Sequence, residues 1–277
     1  MSKREKIGNG DLIANIIIVL FAVVNLFPLY WLFTSSFKNS SDVVKMPPDW
    51  FPKKPTVQNY IDLFKNQPAM RWTFNSIFVA LVTTLLVVLI SSMAAYAFAK
   101  LEFKGRKTIF YILVASLMIP KEVLIVPLFK IIQAFDWMDT YKAMIFPNVA
   151  LSFGVFLLKG FFETIPNSIR ESAKIDGCSE WTIYRKIIIP IGKPGIGALF
   201  ILMFVQVWND YLWQLIIANT KDMKTLMVGV ASLMEDLNPN FAYKMAGAAV
   251  GAIPMLIIFF MFQKYFTRGI TIGAVKG

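Results

Sequence analysis

Long segments without Asp, Glu, Lys or Arg constrain this chain more than any other feature of its sequence. Three of them stand out: residues 12–37 give 26 uncharged positions, residues 72–99 give 28, and residues 245–263 give 19. An α-helix needs about 20 predominantly apolar residues to cross a hydrocarbon core about 30 Å thick. Each of these segments therefore predicts a transmembrane helix.

Three further segments are long enough to span a membrane if charges are accepted inside them or at their ends. They are 108–131, which contains Lys121 and Glu122; 194–220, which contains Asp210; and 143–158, which lysines flank on both sides. The long aliphatic side chains of flanking lysines let their charged ends reach the membrane–water interface. The sequence thus predicts an all-α, polytopic membrane protein with six transmembrane helices in a single domain over residues 1–277.

Composition supports a membrane protein and excludes several classes of site. The chain is 57% hydrophobic and 16% charged, against about 45–50% and about 25% in typical soluble domains. Its net charge of +11 lies between the apolar segments, so we expect no nucleic-acid partner. One cysteine and no histidine exclude an intramolecular disulfide, histidine-based catalytic triads and histidine-based metal sites.

The distribution of positive charge predicts the orientation. An even number of spans puts both termini on one side, and Lys and Arg concentrate in cytoplasmic segments. The tail 1–11 and the turn 100–107 are basic, so these segments and the tail 267–277 are expected in the cytoplasm. Loop 35–71 is then outside, although it carries six basic residues alongside three aspartates. Its prolines and aromatic residues predict an extended, partly packed loop.

The cytoplasmic loop 162–193, between helices 4 and 5, is the most informative part of the chain. Ser168 with a glutamate three residues later fits a capping box, which predicts the start of a short helix. Gly177 is expected to end it, and a second helix is expected to run from Ser179 to Pro190. The residues alone leave open whether this hairpin lies on lipid or docks another protein.

This loop resembles the EAA loop of binding-protein-dependent ABC importers. The family pattern is Glu-Ala-Ala, three residues, Gly, nine residues and Ile-x-Leu-Pro, and the spacing here matches throughout, with Ser and Ile in place of one Ala and the Leu. In that family the loop is a coupling helix that docks on a cytoplasmic ATPase subunit. The resemblance implies an ATPase-coupling role for Glu171, Ser172, Ala173, Asp176, Gly177, Ile187, Ile189 and Pro190.

Most of the chain is similar to carbohydrate-uptake permeases of the maltose type. The similarity rests on residues 27–31, 208–213, 263–269 and 273–277. It implies a permease subunit, itself no enzyme, of an ATP-driven importer for a sugar or oligosaccharide in a prokaryotic inner membrane. The implied partners are a second related permease, two ATPase subunits that bind ATP and Mg, and an extracytoplasmic solute-binding protein. The chain lacks a G-x-x-x-x-G-K-[ST] motif, so hydrolysis by that route needs another chain.

Charged residues inside predicted spans are the candidates for the substrate path. Each costs about 2.5–3.5 kcal/mol at a helix centre on insertion scales unless it is paired or faces a cavity. Counting along the helices puts Lys121 and Asp210 roughly 20–24 Å from the inner edge, at a depth where they can pair. Pro120 and Pro127 are expected to break the third span. The candidate path residues are Lys121, Glu122, Asn209, Asp210, Tyr211 and Trp213; a purely structural ion pair is the alternative.

Small residues predict close helix contacts in two spans. Gly247 and Gly251 form a small-xxx-small face in the sixth helix, and Ser91 and Ala95 have the same spacing in the second. Such faces let helix backbones approach closely in membranes.

Alternative functions remain open at this point. An ion-gradient-driven secondary transporter would need its ion sites among the few intramembrane charges. An importer of the same ABC class could carry a sugar acid or a glycerol-phosphate-type solute. A membrane-embedded enzyme is a third class, for which no paired catalytic carboxylates or metal-ligand cluster appears. Loops 35–71 and 221–243 are the expected contacts for a solute-binding protein.

Overall fold

The computed structural model describes the backbone of residues 9–235 and 240–274, and the side chains of 12–234 and 240–261. This part of the chain is helical and contains no β-strand, which confirms the all-α prediction. Some segments used in the sequence analysis lie outside the described side chains. They are the basic N-terminal tail 1–8 and the two C-terminal segments that are similar to carbohydrate-uptake permeases, 263–269 and 273–277.

The helices have the following bounds. The α-helices are α1 (Asn9–Ser36), α2 (Ser40–Val43), α3 (Gln58–Asn66), α4 (Ala69–Lys100), α5 (Arg106–Ala115), α6 (Ile125–Ala134), α7 (Tyr141–Ile145), α8 (Ser152–Glu163), α9 (Asn167–Ile175), α10 (Glu180–Ile183), α11 (Ile189–Ile191), α12 (Lys193–Trp208), α13 (Leu212–Ile217), α14 (Leu226–Glu235) and α15 (Phe241–Ala274). Four 3-10 turns, Ser116–Met118, Lys121–Leu124, Phe146–Asn148 and Lys221–Met223, and a π-helical turn, Tyr184–Ile188, join some of them.

Three of the described helices are long and apolar enough to cross a membrane. They are Leu12–Ser36, Ala69–Lys100 and Phe241–Met261, and they coincide with the three uncharged segments. Three bent pairs of helices also pass the length and composition test together: Arg106–Met118 with Lys121–Ala134, bent by 93°; Tyr141–Asn148 with Ser152–Glu163, by 46°; and Glu180–Ile191 with Lys193–Trp208, by 77°. The span predicted over 194–220 is not one continuous helix, because α12 ends at Trp208 and a separate helix, α13, follows.

The chain divides into two units, and the first comprises Met1–Gln67 with Val230–Ile253. In this unit the predicted outer loop is folded around a buried lysine. Lys38 is 1% exposed; its Nζ donates to the Asp49 backbone oxygen at 2.6 Å and lies 4.2 Å from the centre of the Trp31 ring. Burial lowers the pKa of Lys38. Asn59 donates to the backbone oxygens of Ser36 and Lys38, so the loop is packed as predicted and contains two short helices.

The second unit comprises Pro68–Gly229 with Pro254–Gly277, and its described core is built on α4. This helix packs against α8 and α12. A Cβ added to Gly154 of α8 would collide with the Ser91 side chain of α4, so the small residue predicted at position 91 marks a close contact inside the chain. Close approach of this kind is what small residues allow between membrane helices.

A similar contact occurs in the first unit at Gly247 of α15. A Cβ there would lie 2.9 Å from Cδ1 of Leu233 in α14. Gly251, the other predicted small residue of this helix, is buried. Both glycines therefore lie on a packed face of α15.

Candidate functional site

A glycine turn forms the tip of the predicted loop hairpin. Gly177 has φ +78°, a backbone conformation that glycine adopts without a steric penalty. The amide of Gly177 donates to the Lys174 oxygen and the amide of Cys178 donates to the Ala173 oxygen, both at 3.0 Å. This is the hydrogen-bond pattern of a Schellman motif, which terminates a helix. Gly177 therefore ends α9, as the sequence predicted.

The tip of the hairpin is open to its surroundings. A Cβ added to Gly177 would have no heavy atom within 4 Å, and Ile175 at the end of α9 is 87% exposed. An apolar side chain this exposed next to an unobstructed glycine offers a contact for another molecule. Of the predicted coupling residues, Ala173 is buried, Ile187 and Ile189 are half-buried, and Glu171, Ser172, Asp176, Gly177 and Pro190 are exposed.

The ends of the two hairpin helices differ in part from the sequence prediction. Ser179 caps α10 as predicted, because its Oγ accepts from the Thr182 amide at 3.3 Å. The capping box at Ser168 is wrong: α9 begins at Asn167 after Pro166, and no side chain caps it. Pro166, just before the helix, fixes its own φ angle and so favours a helix start there without a capping side chain. Ser168 therefore lies inside the first turn of α9 and not at its cap.

The predicted stop at Pro190 is off by one residue. The chain stays helical from Glu180 through a π turn and α11 as far as Ile191, so Pro190 lies in the last turn of this helix. The direction changes at Gly192, between α11 and α12. A Cβ at Gly192 would lie 2.5 Å from Cε1 of Phe162, so only glycine fits this bend.

A carboxylate that sequence reasoning missed holds the hairpin together. Glu180 pairs with Arg170, whose Nη2 donates to Oε1 and whose Nε donates to Oε2 at 3.2 Å. Lys174 Nζ lies 2.8 Å from Glu180 Oε1. These bonds to Glu180 raise the pKa of the Arg170 guanidinium. The Tyr96 hydroxyl of α4 donates to Glu180 Oε2 as well, so one carboxylate joins α9, α10 and α4.

That tyrosine belongs to a buried polar stripe on α4. Ser92, Tyr96 and Lys100 follow one another at four-residue spacing, which places them on one face of the helix, and each is at most 7% exposed. Ser92 Oγ lies 2.7 Å from the Tyr184 hydroxyl, Tyr96 bonds to Glu180, and Lys100 Nζ donates to the Ile165 backbone oxygen and, at 3.0 Å, to Asn167 Oδ1. We call these three residues the α4 stripe. Its spacing was visible in the sequence, whereas its partners were not.

The second candidate site lies where two predicted spans are interrupted. The helical path of the third breaks at Ile119 and Pro120, between the 3-10 turns around them. Pro127 does not break it, because this proline lies in the first turn of α6. The fifth breaks at Asn209 and Asp210, between α12 and α13. Interrupted helices expose backbone groups that only protein or a watery cavity can satisfy inside a membrane.

An ion pair joins the two breaks. Lys121 Nζ lies 3.0 Å from Asp210 Oδ2, and the side chains are 40% and 11% exposed. This short distance agrees with the prediction, from counting residues along the helices, that Lys121 and Asp210 lie at the same depth in the membrane. A lysine so accessible, beside a largely covered carboxylate, can exchange this partner for another hydrogen-bonding group. The pair is therefore suited to recognising a polar solute or to closing a path.

The neighbours of this ion pair fall into two groups. Glu122, Asn209 and Tyr211 are exposed beside it. Trp213, the remaining predicted path residue, is 2% exposed and donates from Nε1 to the Ala143 oxygen at 3.0 Å. Trp208 is equally buried. The two tryptophans thus pack inside the second unit, and Trp213 does not line an accessible path surface.

Comparison with known proteins gives these features a family. The family model described as "Binding-protein-dependent transport system inner membrane component" matches residues 87–272. The chain is 36% identical over 262 residues to an arabinooligosaccharides transport system permease protein, AraQ, of Bacillus subtilis, covering 94% of this chain and 93% of the relative. It is 35% identical to a sulfoquinovosyl glycerol transport system permease protein, SmoH, of Agrobacterium fabrum, covering 93% and 91%.

A solved structure shares the fold. One chain of a bacterial ABC transporter involved in the import of the acidic polysaccharide alginate superimposes with a TM-score of 0.83 at 20% identity, covering 95% of this chain and 99% of that one. The family match extends over most of the chain and includes both the hairpin and the ion pair. The chain therefore belongs to the family of binding-protein-dependent transport system inner membrane components, the permease subunits of ABC importers.

Proposed function

We propose that this chain is the membrane-spanning subunit of an ATP-driven importer for a sugar or oligosaccharide. The observation that carries the proposal is the hairpin 167–191: an exposed tip at Gly177 and Ile175, joined through Glu180 and the α4 stripe to a helix long enough to cross the membrane. Force applied at such a tip reaches the span through hydrogen bonds instead of through a flexible linker. The hairpin is then the coupling element of the EAA loop.

The proposed topology has six spans in one domain. We count three long helices, two bent pairs and α12 with α13 as the six spans, because Glu180–Ile191, the other half of the third bent pair, belongs to the hairpin. The basic turn 100–107 supports a cytoplasmic side for that turn and for both termini. The hairpin then lies in the cytoplasm and loop 35–71 outside. The tightly packed outer loop, held by Lys38 and Asn59, offers a firm surface for a solute-binding protein. The described residues of 221–243 are a second, separate candidate contact.

The proposed partners supply what this chain lacks. ATP and Mg bind on two ATPase subunits, against which the hairpin docks, and the chain itself holds no cofactor. A second, related permease completes the path. The apolar side chains of α1 support a second permease. The span Leu12–Ser36 has no buried residue in its most apolar stretch. We expect the other permease or lipid to cover these side chains.

We place the solute path beside the Lys121–Asp210 pair, with Glu122, Asn209 and Tyr211 as neighbours. Discontinuous membrane helices often form solute sites near the middle of transporters. Supporting a carbohydrate as the solute, the two relatives above are named for arabinooligosaccharides and for sulfoquinovosyl glycerol. An uncharged oligosaccharide is our first expectation, because Lys121 is already neutralised by Asp210.

The proposal is tested by isolating the complex. An affinity tag on this chain should recover, from detergent-solubilised membranes of its host, a second permease and two ATPase copies, and the complex should hydrolyse Mg-ATP. Addition of the cognate solute-binding protein with an arabinooligosaccharide should stimulate hydrolysis. Recovery of the chain without an ATPase, from membranes in which that ATPase is present, would contradict the proposal.

A further inference from the structure

A small cavity near the start of α5 has no part in the function proposed above. Its volume is about 230 Å³, and it lies between the ends of α4, α5 and α8. The lining residues are Phe98, Arg106, Lys107, Phe110, Tyr111, Lys159 and Glu163. Aromatic rings and charged groups share one concave surface, which is the composition expected of a ligand site.

Aromatic rings and a lysine form the floor of this cavity. Phe98 is 7% exposed, and its ring centre lies 5.6 Å from that of Phe110. Lys159 Nζ lies 4.4 Å from the centre of the Phe110 ring, a favourable cation–π distance. The ammonium group of Lys159 is thus held in place at the cavity and does not extend freely into solvent.

The charges around the cavity favour an anion. Lys159 is paired with Glu163 at 2.6 Å. Arg106 donates from Nη1 to the Leu101 backbone oxygen at 2.8 Å, which leaves other guanidinium N–H groups for a ligand. Among the described residues, neither Arg106 nor Lys107 forms a salt bridge. Two positive charges therefore face the cavity without an acidic partner.

The surface next to the cavity indicates which anion fits. On the helix face that carries Lys107, Tyr111 is 68% exposed and Met118, two turns further on, is 84% exposed, so an apolar strip leads away from the two cations. A soluble phosphate would make no use of this strip, whereas a phospholipid presents a phosphate followed by acyl chains. Basic pockets at the ends of membrane helices bind anionic headgroups in this way.

We propose that the cavity binds the phosphodiester headgroup of an anionic phospholipid, phosphatidylglycerol or cardiolipin, with its acyl chains along the apolar strip of α5. Arg106 and Lys107 hold the phosphate, and Lys159 supplies a third positive charge when its ammonium group donates to both Glu163 and the lipid phosphate. The site does not depend on the coupling or path assignments, so it is testable on this chain alone.

The test is lipid binding to the purified full-length chain in a neutral detergent. The chain is titrated separately with phosphatidylglycerol, with phosphatidylcholine and with free glycerol phosphate, and its apparent unfolding temperature and retained lipid are measured. We expect phosphatidylglycerol alone to be retained and to raise the unfolding temperature. An equal shift with phosphatidylcholine, or with glycerol phosphate at the same concentration, would overturn the lipid assignment.

Two variants locate the site. In R106Q/K107Q the apparent affinity for phosphatidylglycerol should fall by about tenfold, a loss of about 1.4 kcal/mol. The matched control K65Q/R71Q removes the same two residue types from exposed positions far from α5 in the sequence and should bind as the native chain does. Unchanged binding in R106Q/K107Q, or equal loss in both variants, would overturn the proposal.

Removal of a negative charge gives an independent result if the double variant does not fold. E163Q frees Lys159 from its present carboxylate partner and should increase the affinity for phosphatidylglycerol. Weaker binding in E163Q than in the native chain would count against the site.

Discussion

Gly177 shows why one backbone position can matter to a partner and not to the fold. Its positive φ disfavours side chains, but among the described residues no atom of another segment lies near the place a Cβ would take. A residue with a side chain in the left-handed conformation costs about 1–2 kcal/mol, which a folded chain can tolerate. The larger effect of a bulky side chain is therefore expected on whatever docks against the hairpin tip.

We predict that G177W leaves membrane insertion intact but abolishes ATPase association and uptake. The control is G105W, since Gly105 has a similar φ of +82° in a different turn and carries a comparable backbone penalty. Co-purification of the ATPase with each variant measures the effect. Normal ATPase recovery with G177W, or equal loss with G105W, would contradict a docking role for this turn.

The Lys121–Asp210 pair yields a second prediction. K121Q and D210N each leave one charge without its partner at a helix break, and a solute path there should lose at least about tenfold in uptake, roughly 1.4 kcal/mol. The charge-swapped variant K121D/D210K should recover part of the lost uptake if uptake requires the two side chains to pair with each other. Uptake of a labelled arabinooligosaccharide in cells measures this, with K130Q on α6, an exposed lysine, as the control. Unchanged uptake in all of these variants would exclude the pair from the path.

Helix α4 shows which structural features a sequence pattern can predict and which it cannot. Its 28 uncharged residues predicted a span, and the helix runs over Ala69–Lys100. The α4 stripe was equally present in the sequence, but its partners lie far away: Tyr96 and Glu180 are 84 positions apart. Periodicity reports the face that a residue occupies, not the distant group it meets, and so Glu180 was missed.

The α4 stripe predicts partial uncoupling when one hydroxyl is removed. Y96F deletes the bond to Glu180 and keeps the ring, so ATP hydrolysis by the assembled complex should depend less on the solute-binding protein while uptake per ATP falls. E180Q should act in the same direction. Y111F, which removes a hydroxyl from a largely exposed tyrosine, is the control. Tight coupling in both Y96F and E180Q would mean that the stripe only stabilises the fold.

Helix α8 offers a stability test with its own internal control. Gly154 leaves no room for a Cβ beside Ser91, whereas a Cβ at Gly160 on the same helix would have no heavy atom within 4 Å. Overpacking costs about 1–3 kcal/mol, so G154V should lower the thermal unfolding temperature and G160V should change it little. Equal effects of the two variants would contradict the close packing of α4 and α8.

For the molecule as a whole, the patterns that were read correctly are the local ones. Apolar segments located the long helices, and the EAA spacing located a hairpin whose turn at Gly177 the structure contains. The predictions that were wrong concern positions whose geometry depends on contacts with other segments of the same chain. The chain bends at Gly192, where Phe162 leaves no room for a Cβ, α12 ends before Asn209, and Trp213 turns inward to the Ala143 oxygen.

Carbohydrate movement by this chain should depend on ATP hydrolysis on another subunit. The most direct test of this dependence is uptake of a labelled arabinooligosaccharide into proteoliposomes that contain the chain, its second permease and the ATPase pair, with the solute-binding protein outside and ATP inside. We predict uptake that requires Mg-ATP and the binding protein, that ionophores leave unchanged, and that G177W eliminates. Uptake without ATP that collapses when an ionophore dissipates the ion gradient would contradict the account.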